Sequence, residues 1–259
     1  MNVMDNTALA KFITSLGSLN NYGSTVLQTK KALDQKSVKP LRQNQDDIAI
    51  FTDTLKGIAA VKEIGFNTEG IIAINKQFDS ISDEQPNMPG HLRNAYYNSD
   101  DQIAIIIDEG SQDAYFPPEV ISRADLDNIV NDFEASEKKE EDAWRVFVRI
   151  SKLQPFQDGN KRTALIAANA AMNTFENENY LTLPFNDLDR VDFTTNLMRY
   201  YQAKTPESEN EAFKRLLSTL PSKKEREHAL REPIEEKQFD RAKTYKIKSQ
   251  LRKRNIDNR

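Results

Sequence analysis

The sequence predicts a mainly α-helical protein with one small β-hairpin, on three observations. Apolar residues recur at helical spacing over 46–78 and again over 137–175. A short β-branched run, Gln102-Ile103-Ala104-Ile105-Ile106-Ile107, is strand-like and bracketed by the turn residues Asn98-Ser99-Asp100-Asp101 and Asp108-Glu109-Gly110. A polar string, Asp158-Gly159-Asn160-Lys161-Arg162, interrupts the second helical region in a way that suits a ligand loop between two core helices.

The first 45 residues are polar, with Gly17, Gly23 and Lys39-Pro40 breaking short helical patterns. From Asp46 a helix carries Ile48, Phe51 and Leu55 on one face, and Phe66 to Phe78 continues with Ile71, Ile74 and Phe78. Residues 137–153 place Trp144, Phe147, Val148 and Ser151 at i, i+3, i+4 and i+7, with Val146, Ile150 and Leu153 on neighbouring faces. Apolarity all round marks a buried helix. Thr163 to about Phe175 is a further apolar helix, and Thr205-Pro206 caps another, with proline at the first helical position.

The last stretch differs in composition. Residues 222–259 hold seven Lys and six Arg against seven Asp/Glu, a balance of +6 in a chain whose total is −4, so the remainder carries −10. Sparse apolar residues (Leu230, Ile234, Phe239, Tyr245, Ile247, Leu251, Ile256) fit a solvated helix. The acidic bulk argues against nucleic acid as the main ligand. With no cysteine and two histidines, His91 and His228, disulfides, thiolate sites and histidine-rich metal sites are excluded. No apolar run reaches the roughly 20 residues of a membrane span, and no basic-then-apolar leader opens the chain, so a cytoplasmic protein without membrane contact is expected.

The polar string has its own chemistry. Glycine relieves a tight backbone, and the amides after it lie at a helix N-terminus, where outward N–H groups and the positive dipole end favour anions. Arg162 adds a planar fork suited to phosphate and Lys161 a point charge. Asp158 supplies a hard oxygen of the kind that holds Mg²⁺ on nucleotide phosphates. The bland alternative is a polar turn capped by Asp158.

The wider segment Gln154-Pro155-Phe156-Gln157-Asp158-Gly159-Asn160-Lys161-Arg162 resembles the active-site signature of the Fic/Doc (Fido) family, His-Pro-Phe-x-Asp/Glu-Gly-Asn-Gly/Lys-Arg. Pro89-Gly90-His91-Leu92-Arg93 and the Ile-rich run resemble that family's Pro-Gly-x-x-Arg and hairpin flap, with Tyr115-Phe116-Pro117-Pro118 where the flap closes. The resemblance spans about residues 65–200. It implies a Fido helical bundle with a hairpin flap and the division 1–64 (helical extension), 65–205 (Fido core) and 206–259 (charged helical extension). It also implies ATP or another nucleotide with Mg²⁺ as ligands, and a target protein docked on the flap at about 90–118. By position, Asp158 would take the metal, Gly159, Asn160, Lys161 and Arg162 the phosphates, and Phe156 would anchor the loop.

The family's histidine removes a proton from the target hydroxyl, and Gln154 stands in its place. An amide accepts no proton near neutral pH. General base catalysis contributes about 10²–10⁴-fold, or roughly 3–5 kcal/mol of barrier, so slow or absent transfer over an intact cradle is implied. Family members that transfer AMP commonly have Gly before the arginine and a second arginine three residues on. Here Lys161 and Leu165 stand instead, a Doc-like feature associated with phosphate transfer. Overall length and flap favour AMP transfer to a hydroxyl side chain. Doc-like phosphotransfer and an inactive nucleotide- or protein-binding module remain open. Glu209, in Thr205-Pro206-Glu207-Ser208-Glu209-Asn210, resembles the family's inhibitory glutamate but lacks an arginine partner at Leu165, and His91 is a candidate substitute base.

Overall fold

The structure, a computed structural model, describes residues 5–83, 85–108 and 113–234. Along the chain run α1 (Thr7–Gly17), α2 (Val26–Gln35), α3 (Gln45–Ile64), α4 (Thr68–Lys76), β1 (Ile105–Asp108), β2 (Asp113–Tyr115) and α5 (Arg123–Glu134). They continue with α6 (Glu140–Leu153), α7 (Asn160–Ala171), α8 (Thr174–Asn177), α9 (Asp187–Gln202), α10 (Pro206–Leu217) and α11 (Lys223–Arg231). The fold is thus mainly α, and β1 and β2 form an antiparallel hairpin with Ile105 opposite Tyr115 and Ile106 opposite Ala114.

The centre is the antiparallel pair α6 and α7, backed by α3 and α4. Their apolar residues explain the choice. Trp144, Phe147, Val148 and Ile150 on α6, and Ala164 to Ala168 on α7, are fully or almost fully buried. Small alanines on α7 let neighbouring helices approach closely, while Trp144, Phe147 and Phe193 of α9 meet edge-on or tilted at 5.6–6.2 Å between ring centres. The N-terminal helices join the same core: Phe12 of α1 lies 5.0 Å from Tyr180 and 6.0 Å from Phe175. At the other end, buried Arg226 of α11 grips Glu140 at the start of α6 with two bonds of 2.5 and 2.8 Å.

Several boundaries differ from the sequence reading for visible reasons. The helix expected from 137 begins at Glu140, because Lys138 takes a left-handed conformation and the Lys139 N–H is taken by Asp142 at 2.8 Å. The helix expected from Thr163 begins three residues earlier, at Asn160. It ends at Ala171 rather than near Phe175, where Asn173 turns left-handed and the Thr174 hydroxyl is bonded to the side chain and carbonyl of Asn169. The strand begins at Ile105, not at Gln102. Thr205 caps α10 with Pro206 at its first position. The turn residues Glu109 and Gly110, and the tail residues Phe239, Tyr245, Ile247, Leu251 and Ile256, lie outside the described residues.

Candidate active site

Residues 154–159 connect α6 to α7, and the rest of the polar string, Asn160-Lys161-Arg162, opens α7. The α6 helix ends at Gln154 in a left-handed conformation (φ 50°), and Gly159 turns left-handed again (φ 73°) to start α7. A Cβ at Gly159 would lie 2.5 Å from the Phe78 ring and 3.2 Å from the Asn75 amide, so glycine is required by both backbone and space. Asn75, wholly buried on α4, holds the loop from below: its Nδ2 donates to the Asp158 carbonyl (2.9 Å) and to Thr163 Oγ1 (3.3 Å), and its Oδ1 accepts from Gly90 N (2.9 Å). Phe156 is fully buried, as expected of an anchor.

The candidate residues divide into inward and outward sets. Gln154 Nε2 donates to the Ser151 carbonyl at 2.6 Å, and its Oε1 accepts from Asn160 Nδ2 at 2.9 Å. Asn160 also donates to the Phe156 carbonyl and accepts from Phe156 N, each at 2.8 Å. Both side chains therefore tie the loop to itself, and both are buried. Tyr201 lies behind Gln154 and Ser151; burial pushes its phenol far above the ordinary range, so it stays protonated. Arg162 is also turned inward, stacked over Phe78 at 4.8 Å, with Nη1 donating to Gln85 Oε1 at 3.1 Å. Gln85 is held in turn by buried Asp53 of α3 at 3.0 Å.

Lys161 and Asp158 are the half-exposed members. Asp158 Oδ1 accepts from the Gly159 amide at 2.5 Å. Lys161 opens onto a cleft of about 690 Å³ whose other walls include Leu19, Ile107 of the hairpin, and Arg190, Val191 and Met198 of α9. A second groove, about 560 Å³, is bordered by Tyr115, Lys152, Tyr200 and Glu209. The hairpin thus lends a residue to each cleft, Ile107 to the first and Tyr115 to the second, and is anchored at the second by the Tyr115 hydroxyl donating to the Lys152 carbonyl at 2.9 Å.

Two expectations from the sequence find definite positions. Leu165 is wholly buried, and Glu209 is engaged by Lys152 at the end of α6. His91 is paired through Nε2 with Asp101 Oδ2 at 2.9 Å. Burial alone would raise the Asp101 carboxyl, but the N–H of Asn94, the Gln157 amide and His91 together hold it below the ordinary carboxylate range. Asn75, Gln85 and the α9 arginines escaped the sequence reading, and Asp101 entered it only as a turn residue. Only Asn75 left a sign, as a polar position beside Ile71, Ile74 and Phe78.

Two buried helices, α6 and α7, are thus joined by a short loop that ends at Gly159, with the hairpin residue Ile107 and Lys161 of α7's first turn bordering one cleft. Residues 65–172 match the Fic/DOC family. The structure is similar to a Fic-domain-containing signalling protein from Bacteroides thetaiotaomicron, with 16% identity, 85% of this chain and 83% of that one covered, and a TM-score of 0.59. It is also similar to a Fic family protein from Desulfovibrio desulfuricans, with 14% identity, 89% and 66% covered, and a TM-score of 0.62. No curated protein sequence matches the chain.

Proposed function

We propose that the chain binds a Mg²⁺–nucleotide, ATP first among them, in the cleft of about 690 Å³, on a transferase scaffold that Gln154 disarms. The observation that carries this is the loop itself: Gly159 starts α7, and Lys161 in its first turn borders the cleft together with Arg190. The donor set fits a hydrated magnesium ion. Among the described residues no cluster of three or more His, Cys, Asp or Glu exists, and a single carboxylate such as Asp158 is what Mg²⁺ needs when phosphates and water supply its other ligands. When bound, the ion would neutralise phosphate charge.

The chain's own residues then have separate tasks. The α7 amides and Lys161 hold phosphate, while Asn160 keeps the loop shaped for them. Arg162 joins them only once Gln85 yields its place. Gln154 keeps the backbone turn but offers no base, because an amide accepts no proton near neutral pH; its side chain is tied to Ser151 and Asn160. AMP transfer to a target hydroxyl is the ancestral reaction favoured here, with the target docked on the hairpin. Lys161 in place of glycine supports the second reading, Doc-like phosphate transfer.

Titration calorimetry with Mg²⁺·ATP tests the binding step. Saturable binding that needs Mg²⁺ and weakens at least tenfold in Lys161→Ala supports the reading. Absence of binding by the intact chain would reduce it to a protein-interaction module.

A further inference from the structure

Arg93 is among the largest side chains buried in the molecule, with 1% of its surface exposed. All three of its hydrogen bonds run to main-chain carbonyls: Nε to Gln154 at 2.6 Å, Nη1 to Asp101 at 2.7 Å and Nη2 to Pro118 at 2.9 Å. Its backbone adds two more, Arg93 N to the Pro155 carbonyl (3.0 Å) and Ile121 N to the Arg93 carbonyl (2.9 Å). Five bonds from one residue therefore reach the loop at 154–155 and the two segments that flank the hairpin, at 101 and at 118–121.

The choice of partners matters. A buried charge is costly unless it is well bonded, and a guanidinium alone offers a fixed planar fork of donors to three converging carbonyls. Simple stability would be met as well by an apolar residue of similar volume. What an apolar residue would not do is fix three separate segments at one point. One of those segments is the residue at the base position, held in a left-handed conformation that non-glycine residues seldom adopt. Asp101 reinforces the junction: buried beside Arg93, its carboxylate takes the Gln157 amide of the loop at 2.8 Å and the Asn94 N–H at 2.6 Å.

We propose that Arg93 is the positioning residue that couples the hairpin to residue 154, so that what docks on the hairpin sets the geometry at the base position. The proposal takes the roles of hairpin and residue 154 from the function proposed above; the coupling itself does not depend on catalysis. Hydrogen exchange on Arg93→Lys, which keeps the charge and loses the fork, reads it directly. Peptides over 101–108, 113–121 and 154–159 should all exchange at least tenfold faster, with α3 and α7 unchanged. Faster exchange in the hairpin alone, or in none of the three, overturns the coupling.

Should Arg93→Lys not fold, the unmodified protein answers through exchange at rising urea. The amides of Ile121 and Phe156 should open as one unit, with a common denaturant slope, and separate openings overturn the proposal. In a Gln154→His background, Arg93→Lys should lower kcat at least tenfold while KM for Mg²⁺·ATP stays within threefold. The reverse split contradicts a positioning role. If Gln154→His transfers nothing, the transferase reading fails while the exchange result still decides the coupling.

Discussion

Replacing Gly159 with alanine perturbs the ligand loop at its tightest point, and the structure sets the size of the effect. Gly159 has φ 73°, a region that costs an L-residue roughly 1–2 kcal/mol. The new methyl would also lie 2.5 and 2.9 Å from two atoms of the Phe78 ring. That ring is fully buried and carries Arg162 on its face, so it cannot simply swing aside. Overpacking of this kind costs about 1–3 kcal/mol. The sum, roughly 2–5 kcal/mol, is a large share of the roughly 5–15 kcal/mol that holds a typical domain together. Urea denaturation of Gly159→Ala should show a lower midpoint with an unchanged slope. Mg²⁺·ATP affinity should fall at least tenfold, because the first-turn amides of α7 move with the loop. A variant within about 0.5 kcal/mol of the parent, binding nucleotide equally well, would refute this account of the loop.

Other outcomes follow from the same contacts. Glu209→Gln should leave nucleotide affinity within threefold, since Glu209 is engaged by Lys152; a tenfold gain would reinstate Glu209 as an inhibitor of the site. Asp101→Asn should destabilise the protein most at pH 7, and by progressively less as pH falls below about 4. The Asp101 carboxyl is held below its ordinary value, so its contribution is present above about pH 4 and lost as pH falls through the folded value. A constant difference between parent and variant in urea midpoints across that range would contradict it. At the alkaline end, burial pushes Tyr22, Tyr115, Tyr180 and Tyr200 up to about 12. Their neutral phenols favour the folded state below about pH 10, and stability should fall as pH rises from there toward 12. Spectrophotometric titration should show these tyrosines ionising with unfolding rather than before it.

Much of the fold was legible because apolar spacing reports buried helix faces directly. Trp144, Phe147, Val148 and Ile150 are as buried as their all-round pattern required, and Thr205-Pro206 caps its helix as read. Helix ends were less legible because they depend on single backbone conformations, at Lys138 and Asn173, that residue type does not dictate. The ligand loop was found from a contiguous string, which is where sequence is strongest. What surrounds it came from distant segments: Asn75 from α4, Gln85 from the following loop, Arg93 and Asp101 from before the hairpin, Arg190 from α9. No spacing rule joins residues so far apart. Side-chain direction was equally hidden, since Lys161 and Arg162 are neighbours yet one borders the cleft and the other is stacked on Phe78.

In the function proposed above, the missing base at Gln154 is the main barrier to transfer, so restoring a base should restore labelling. A histidine there could give one ring N–H to the Ser151 carbonyl, as the glutamine amide does, and keep its second nitrogen as a base. The decisive measurement compares the parent with Gln154→His in a bacterial lysate, using ATP labelled separately at the α- and γ-phosphates. The account predicts protein labelling by the histidine form only, at least 10²-fold above the parent, with label from the α-phosphate for AMP transfer or the γ-phosphate for phosphate transfer. Equal labelling by both forms, or none by either, would contradict it.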